Sequence, residues 1–283
     1  MTHVRDLLAA GPTISFEFFP PKTPEGHEHL EQVVGELAGL GPSFVSVTYG
    51  ALGSTRSTTR DVVIRINQES PFPAVAHLTC VGHTRAEISA LLDEYRAGGV
   101  ENILALGGDP PADGSEPGGE FAHAVELVEL VRESGDFSVG VAAHPELHPR
   151  SLGRDDDRRH LADKLALADF GITQFFFDAD DYFRMMDELS ALGCDTPVIP
   201  GVMLFTGAAG LQRMAAMNQA VLPPVLVERV TTAGEDSDAI RRVAVETAAE
   251  LGRTLLDGGA PGLHLYTLNR SAGVTELWPS IDR

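Results

Sequence analysis

Short apolar runs alternate with longer amphipathic stretches from one end of the chain to the other. The apolar runs are rich in β-branched and aromatic residues, a composition typical of strands. The eight predicted strands span residues 13–19, 44–48, 74–79, 102–106, 138–142, 172–177, 198–203 and 262–266. The stretches between them have helical periodicity and include predicted helices at residues 27–40, 85–98, 121–132, 180–191 and 237–256, several of which end at or near a glycine.

The regular alternation of predicted strands and helices determines the expected fold class. Parallel strands need long crossover connections, and a helix after each strand supplies them. Eight such units predict an α/β protein with a single (βα)8 TIM barrel, in preference to a doubly wound open sheet. Because no linker or low-complexity segment divides the chain, we expect residues 1–283 to form one catalytic domain.

The first apolar run contains a carboxylate, Glu17, shortly before the chain reaches two consecutive prolines. Alternation along a strand places Glu17 on the same face as Ser15 and opposite Phe16. A carboxyl group that is removed from water keeps its proton more readily, and a protonated carboxyl can act as a general acid. The run alone is equally compatible with a structural glutamate that is satisfied by an ion pair or a neighbouring donor.

Polar residues collect where the predicted strands end. The exits carry residues 48–50, 107–111 and 144–149, while Gln174 lies within the predicted strand at 172–177. The active site of a TIM barrel lies at the C-terminal ends of its strands, so these distant segments should converge on one mouth. Their convergence predicts an enzyme more strongly than any one of the motifs does.

Several of these positions suggest contacts with an organic ligand. The Gly-Gly-Asp-Pro-Pro segment at 107–111 would let backbone approach a flat or phosphorylated ligand, although turn formation explains it equally well. His144, Glu146 and His148 alternate as metal ligands can, but two prolines in the segment favour a rigid loop that bonds an organic cofactor. The Gln174 amide could bind the edge of a heterocycle, and His77 is either a ligand contact or a satisfied core histidine.

Composition and charge narrow the classes of partner. The chain has 21 Lys and Arg against 41 Asp and Glu, a formal net charge of -20, which argues against nucleic acid and anionic membranes. Cys80 and Cys194 lack metal-ligand spacing, and no run reaches the ~20 apolar residues of a membrane span, so we expect a cytoplasmic protein. The acidic run at 155–157, followed by Arg158 and Arg159, predicts a solvated helix start.

Seven sequence blocks carry a resemblance that covers nearly the whole chain. They are SFEFFPPKT at 15–23, FVSVTYG at 44–50, HLTC at 77–80, GDPP at 108–111, PELHP at 145–149, ITQFFF at 172–177 and LYTLNR at 265–270. On these blocks the chain resembles the methylenetetrahydrofolate reductase family in its short prokaryotic form, a catalytic barrel without a regulatory domain. The resemblance implies a (βα)8 barrel with bound FAD that takes hydride from NADH or NADPH and reduces 5,10-methylenetetrahydrofolate to 5-methyltetrahydrofolate in a ping-pong scheme.

The resemblance also implies roles for particular residues. Glu17 would protonate N10 of the folate so that the five-membered ring opens to an N5 iminium, and Asp109 would tune the charge near both pterin and flavin. The implied folate contacts are Gln174, Arg270 and Met214. The implied flavin contacts are Thr48, His77, Gly108, Asp109, His144, His148, Asp157 and Lys164.

Departures from the family pattern keep other functions open. Gly107 stands where many relatives have Arg, the segment at 166–168 is one residue shorter than usual, and residues 204–210 are atypical. One alternative is direct hydride transfer from the nicotinamide without flavin, and another is a barrel that binds folate or flavin without turnover. A metal-dependent hydrolase or lyase would rest on residues 144–148 alone. The preference for NADH or NADPH stays open, and we expect a homo-oligomer.

Overall fold

Eight parallel strands close into a barrel in sequence order in the computed structural model, which describes residues 2–49, 56–108 and 118–281. The strands are β1 (Thr13–Phe18), β2 (Phe44–Val47), β3 (Ala74–Thr79), β4 (Asn102–Leu106), β5 (Ser138–Ala143), β6 (Phe170–Phe175), β7 (Val198–Met203) and β8 (Gly262–Tyr266). Each neighbouring pair is parallel, and β1 pairs with β8 to close the ring. The predicted TIM barrel is confirmed.

One helix precedes the first strand, and the others follow the strands around the barrel. They are α1 (Val4–Ala10), α2 (Pro24–Ala38), α3 (Arg56–Glu69), α4 (Arg85–Ala97), α5 (Ala124–Ser134), α6 (Arg154–Ala166), α7 (Ala179–Ala191), α8 (Ala208–Asn218), α9 (Pro224–Ala233), α10 (Ser237–Asp257) and α11 (Ala272–Leu277). The helix predicted at 27–40 begins earlier, at Pro24, because the Thr23 hydroxyl accepts the Gly26 N–H and proline suits a first helical turn.

Strand β6 departs from the predicted span of 172–177. It begins at Phe170, and its register against β7 shifts between Ile172 and Phe175. Phe176 lies beyond the strand, where its buried ring stacks on Tyr182 of α7. The apolar run that extended the predicted strand is therefore explained by helix packing after the strand has ended.

Helix α1 closes the N-terminal end of the barrel. The Val4 N–H donates to Asn102 Oδ1 at 2.8 Å, and the Arg5 N–H donates to the Ser138 hydroxyl at 3.1 Å. Val4 is buried in a cluster with inward-facing strand residues such as Phe44 and Phe170. Helix α1 therefore covers the end of the barrel opposite the C-terminal ends of the strands, where the active site of a TIM barrel lies.

Candidate active site

Glu17 lies near the C-terminal end of β1 with its side chain pointing into the barrel. The side chain is 15% exposed, and its Oε2 lies 3.3 Å from His264 Nε2 and 3.5 Å from His77 Nε2. Phe16, on the opposite face of β1, packs edge-on against Trp278. The predicted division of the two faces of this strand is confirmed, and the carboxylate is both near the mouth and flanked by two imidazoles.

A buried hydrogen-bonded network supports the Glu17 carboxylate from below. His264 is fully buried, with Nδ1 2.7 Å from Ser15 Oγ and Nε2 3.2 Å from Ser46 Oγ. Its ring also stacks on Phe44 at a centroid distance of 6.1 Å. These contacts fix the imidazole, which in turn holds Glu17. Nothing in the sequence motifs singled out His264, because its role depends on β8 pairing with β1.

His77 is a buried histidine without a hydrogen-bond partner on Nε2 among the described residues. Burial lowers its pKa to about 4, a change that the Glu17 charge opposes and that His264 adds to. The ring is therefore neutral at pH 7, and the contact of His77 with a ligand stays a prediction. The neutral ring therefore places no positive charge beside the Glu17 carboxyl group.

The Tyr266 side chain of β8 lies over Gly201 of β7 and reaches β6 at its irregularity. The Tyr266 hydroxyl donates to the Thr173 carbonyl at 2.6 Å, and the Thr173 hydroxyl accepts the Gly201 N–H at 2.8 Å. A Cβ on residue 201 would lie 2.5 Å from both the Thr173 carbonyl oxygen and the Tyr266 ring. Only glycine fits there, so the position of the tyrosine beside the site depends on Gly201.

Gln174 lies at the same irregularity, with its amide bonded to protein groups. Its Nε2 donates to Asn218 Oδ1 at 3.0 Å, and its Oε1 accepts the Phe175 N–H. Asn218 donates to the Met214 carbonyl, so two of the predicted folate contacts, Gln174 and Met214, lie in one neighbourhood at the end of α8. The amide would have to exchange a partner in order to bind a heterocycle, and its folate role stays a prediction.

The turn after β8 clamps the end of β1. Leu268 and Asn269 both have left-handed backbone, with φ of 52° and 54°. The Asn269 side chain accepts the Phe19 N–H and donates to the Phe19 carbonyl, while the Thr267 hydroxyl donates to the Glu17 carbonyl at 2.7 Å. Paired left-handed residues other than glycine are costly and are retained where the surroundings fix them. Sequence analysis missed Asn269 and Thr267, although the LYTLNR block contains both.

Arg270 follows this turn, and Thr48 follows β2. The Arg270 side chain is exposed, and its folate contact stays a prediction. Thr48 donates its N–H to Phe18 and accepts the Thr59 hydroxyl on its carbonyl oxygen. Both predicted site residues therefore lie on the C-terminal side of the barrel.

Gly108, after β4, needs to be glycine for two reasons. Its φ is +86°, and a Cβ there would lie 2.3 Å from the Val81 side chain. The predicted close approach of backbone and ligand is compatible with this geometry. Asp109, which follows, lies outside the described residues, so its predicted role stays a prediction.

Two histidines meet in the loop between β5 and α6. The rings of His144 and His148 pack edge to face with centroids 4.7 Å apart. Burial lowers the pKa of His144 to about 3, and the neighbouring His148 adds to the effect. His144 is thus neutral at pH 7. The His148 Nδ1 accepts the Arg150 N–H at 3.1 Å, which leaves the proton of a neutral His148 ring on Nε2.

Helix α6 supplies Asp157 and Lys164 beneath this loop. Lys164 Nζ donates to the Ala142 carbonyl at 2.6 Å, and burial lowers its pKa to about 8, against an opposing effect of Asp157. The expectation of a solvated helix start is wrong for Asp157 and Arg158, which are buried and paired at 2.5 Å. Sequence alone misassigned them because a mixed-charge helix start is usually exposed, whereas here the β5–α6 loop covers it.

The alternation of His144, Glu146 and His148 does not form a joint ligand set. Glu146 turns away from the two rings, and its Oε1 accepts the Val221 N–H at 2.7 Å. Burial raises the pKa of Glu146. Within residues 2–49, 56–108 and 118–281, no group of three metal-ligating side chains lies close enough together to hold an ion.

A cavity of about 600 Å³ lies beside the mouth, between the loops that follow β5 and β6 and the α8–α9 connection. It is lined by Glu146, Leu147, Arg154, Asp178, Asp181, Gln219, Val221, Pro223 and Pro224. Glu17, His77 and His264 are not among the residues that line it. In the part of the chain that the structure describes, no helix has the length and apolar character needed to cross a membrane.

Burial of neutral His77 and His144 predicts a loss of stability in acid. Their pKa is 6.5 in the unfolded chain and about 4 and about 3 in the folded protein, so the unfolded chain binds more protons as pH falls below 6.5. Their contribution is intact above that pH and is lost as pH falls, at about 1.4 kcal/mol per pH unit for each ring. Urea unfolding at a series of pH values checks this slope.

Single substitutions separate the two contributions to the slope. His77→Gln and His144→Gln should each reduce the slope of the unfolding free energy against pH by the equivalent of about one proton, between about pH 6 and pH 4.5. His160→Gln is the matched control, because His160 is exposed on α6 and should leave the slope unchanged. A wild-type slope in both buried variants would contradict the assignment of the acid sensitivity to these rings.

Comparisons with known proteins agree on one family. Residues 3–282 match the family model of methylenetetrahydrofolate reductase. The 5,10-methylenetetrahydrofolate reductase of Pectobacterium carotovorum subsp. carotovorum is 35% identical over 259 residues, covering 91% of this chain and 86% of the relative. Methylenetetrahydrofolate reductase (NADH) 1 of Arabidopsis thaliana is 33% identical over 282 residues, covering 94% of this chain and 48% of its own length.

A solved structure supports the fold independently of sequence similarity. A protein from Clostridium thermocellum, described as binding two copies of 5-methyl-5,6,7,8-tetrahydrofolic acid, superposes with a TM-score of 0.70 over 98% of this chain and 97% of its own. At 13% identity this likeness shows the fold alone. The family model and the bacterial relative both extend over nine-tenths or more of the chain. The chain therefore belongs to the methylenetetrahydrofolate reductase family of enzymes.

Proposed function

We propose that this protein reduces 5,10-methylenetetrahydrofolate to 5-methyltetrahydrofolate with NADH or NADPH as the hydride donor, and that FAD relays the hydride. The observation that carries the proposal is the Glu17 carboxylate, held near the barrel mouth between His77 and His264 in a chain of this family. The name of the Arabidopsis relative, which specifies NADH, supports a nicotinamide donor.

Glu17 is the proposed general acid. The methylene bridge of the folate becomes electrophilic when N10 takes a proton and the five-membered ring opens, and a positioned carboxylic acid can supply that proton. The buried His264 network fixes the direction of the carboxyl group, and the neutral ring of His77 lies on its other side. The protein contribution is thus to hold one proton at Glu17 Oε1 or Oε2 until the substrate arrives.

The residues around the mouth fit a flavin. Gly108 has a left-handed backbone conformation at the exit of β4 that a side chain would not allow, and His77 Nε2 is a buried polar atom without a hydrogen-bond partner in the described residues. His148 and Lys164 bring hydrogen-bond donors on the β5–α6 side. These groups, with Thr48, His144 and Asp157, would hold FAD, whose chemistry is to accept hydride from one substrate and pass it to the next. Asp109 is proposed to complete the same set.

Folate would then occupy the side of the mouth formed by β6, α8 and the turn after β8. Gln174 and Met214 are proposed to contact the heterocycle, and exposed Arg270 the anionic tail. A guanidinium suits a carboxylate because it can donate two parallel hydrogen bonds.

An absorbance spectrum of the purified protein, followed by anaerobic mixing with NADH or NADPH and then methylenetetrahydrofolate, tests the proposal. Flavin bands that bleach with the nicotinamide and return with the folate are the expected result. Folate-dependent oxidation of NADH or NADPH by colourless protein without added flavin would replace the relay with direct hydride transfer. No turnover even with added FAD would indicate a non-catalytic binding barrel, and activity that is lost on chelation would indicate a metal enzyme.

A further inference from the structure

Arg158 is a buried arginine whose five N–H groups all have acceptors. The residue is 2% exposed at the start of α6. Its Nε donates to Glu188, its Nη1 to the His144 carbonyl and to Asp157, and its Nη2 to the carbonyls of Pro145 and Glu146. Guanidinium is the only side-chain group with five donors in a fixed plane, so this set of contacts is specific to arginine.

Three of the five acceptors are successive carbonyls of the loop between β5 and α6. The distances from the guanidinium nitrogens to the carbonyl oxygens of His144, Pro145 and Glu146 are 3.1, 2.6 and 3.2 Å. Three consecutive carbonyls converge on one group only in a particular backbone conformation. Arg158 therefore selects that conformation of the loop, in which two prolines already limit the alternatives.

Asp157 fixes the other end of the same loop. Its Oδ1 accepts the His148 N–H at 3.0 Å and the Ser151 hydroxyl at 2.5 Å, while its Oδ2 is bonded to Arg158. The adjacent Asp157 and Arg158 thus hold the loop at both histidines, His144 through its carbonyl and His148 through its N–H. With its carboxylate oxygens used in this way, Asp157 acts on a ligand mainly through the loop.

The charges around Arg158 balance. Glu188 of α7 bonds to Arg158 at 2.7 Å and to Arg154 at 3.2 Å through both carboxylate oxygens, and Asp157 is the second anion. Two cations and two anions make a neutral cluster, which explains how a guanidinium can be buried here. Removing Arg158 would leave the buried Asp157 carboxylate without the cation that it pairs with.

We propose that Arg158 is a positioning residue for cofactor binding, because it holds the β5–α6 loop in the shape that presents the paired rings of His144 and His148. The inference rests on the proposed function in one respect, which is the identity of the ligand as FAD. Arg158 itself is behind the loop and bonds its carbonyls, so it acts through the two histidines without touching the ligand.

The experiment compares Arg158→Met with Arg158→Lys and with Arg159→Met, a matched control one residue along on the exposed side of α6. FAD is titrated into apoprotein, and the Kd is read from the change in the flavin visible spectrum. Arg158→Met should raise the Kd at least tenfold, and the control should stay within twofold. Lysine keeps the charge but has only three donors, so the Kd of Arg158→Lys should lie between the Kd of Arg158→Met and that of the control.

A second measurement separates positioning from general destabilisation. At saturating FAD, the rate of flavin reduction by NADH or NADPH in Arg158→Met should return to within about threefold of wild type, because the barrel and Glu17 are unchanged. An unchanged Kd in Arg158→Met would overturn the proposal, and so would a lost rate that saturating FAD does not restore. If Arg158→Met does not fold, Arg158→Lys replaces it in the test. Its Kd for FAD should rise at least threefold, and an unchanged Kd would contradict the proposal.

Hydrogen–deuterium exchange distinguishes failure of this inference from failure of the proposed cofactor. If the wild-type protein binds no FAD, the flavin relay is wrong, but the loop can still be measured. Amide exchange in residues 144–151 should then be at least tenfold faster in Arg158→Met, or in Arg158→Lys, than in wild type, while β5 stays protected. Exchange in the loop that matches wild type would overturn the positioning role.

Discussion

Glu17→Gln should lose folate reduction by about 100- to 10,000-fold, the usual contribution of general acid catalysis, while reduction of the flavin by nicotinamide continues. Glutamine has nearly the same volume and can keep a hydrogen bond to His264 Nε2, so the barrel should fold normally. What it cannot do is transfer a proton to N10. Anaerobic stopped-flow measurement of the two half-reactions checks the expected division.

Glu133→Gln is the matched control for this substitution, because Glu133 is exposed on α5, on the outside of the barrel. It should leave both half-reactions at the wild-type rate. An undiminished folate rate in Glu17→Gln would reject the role of Glu17 as the acid. An equal loss of both half-reactions would instead assign Glu17 to binding or to the folding of the mouth.

Gly201→Ala should destabilise the protein by about 3 kcal/mol, at the upper end of the range for overpacking. The added methyl group would lie 2.5 Å from the backbone oxygen of Thr173, which accepts the Tyr266 hydroxyl, and 2.5 Å from the Tyr266 ring. Tyr266 is paired in register with Glu17, so displacement of its ring should also disturb the site. Urea denaturation measures the free energy of unfolding.

Gly35→Ala makes the same chemical change where there is space. Gly35 is in α2, and a Cβ there has no neighbouring atom within 4 Å. We expect this variant to be more stable by about 0.5–1 kcal/mol, because alanine favours a helix over glycine. A Gly201→Ala variant as stable as wild type would mean that the β6 irregularity can relax, and the requirement for glycine would then be wrong.

Periodicity in the sequence determined the fold because each strand of a parallel barrel is a short apolar run and each connection is an amphipathic helix. Strands β3, β4, β7 and β8 have the predicted bounds. The bounds predicted for β6 were wrong because its register shift depends on contacts with β7 and Tyr266, which the local sequence does not indicate. The Glu17 run could be recognised for a simpler reason, since a carboxylate among inward-facing positions is unusual by itself.

The tertiary structure alone decided what surrounds the recognised residues. Glu17 meets His264 across 247 positions of sequence, and Asn269 reaches Phe19 across 250, distances that no local pattern encodes. The sequence predicted a solvated charge at Arg158, whereas in the structure three carbonyls of the β5–α6 loop accept hydrogen bonds from it. Sequence by itself thus determined the barrel and its candidate acid, because both depend on local composition. The partners that hold the acid, and the arginine that shapes the cofactor loop, were decided by strand pairing and burial.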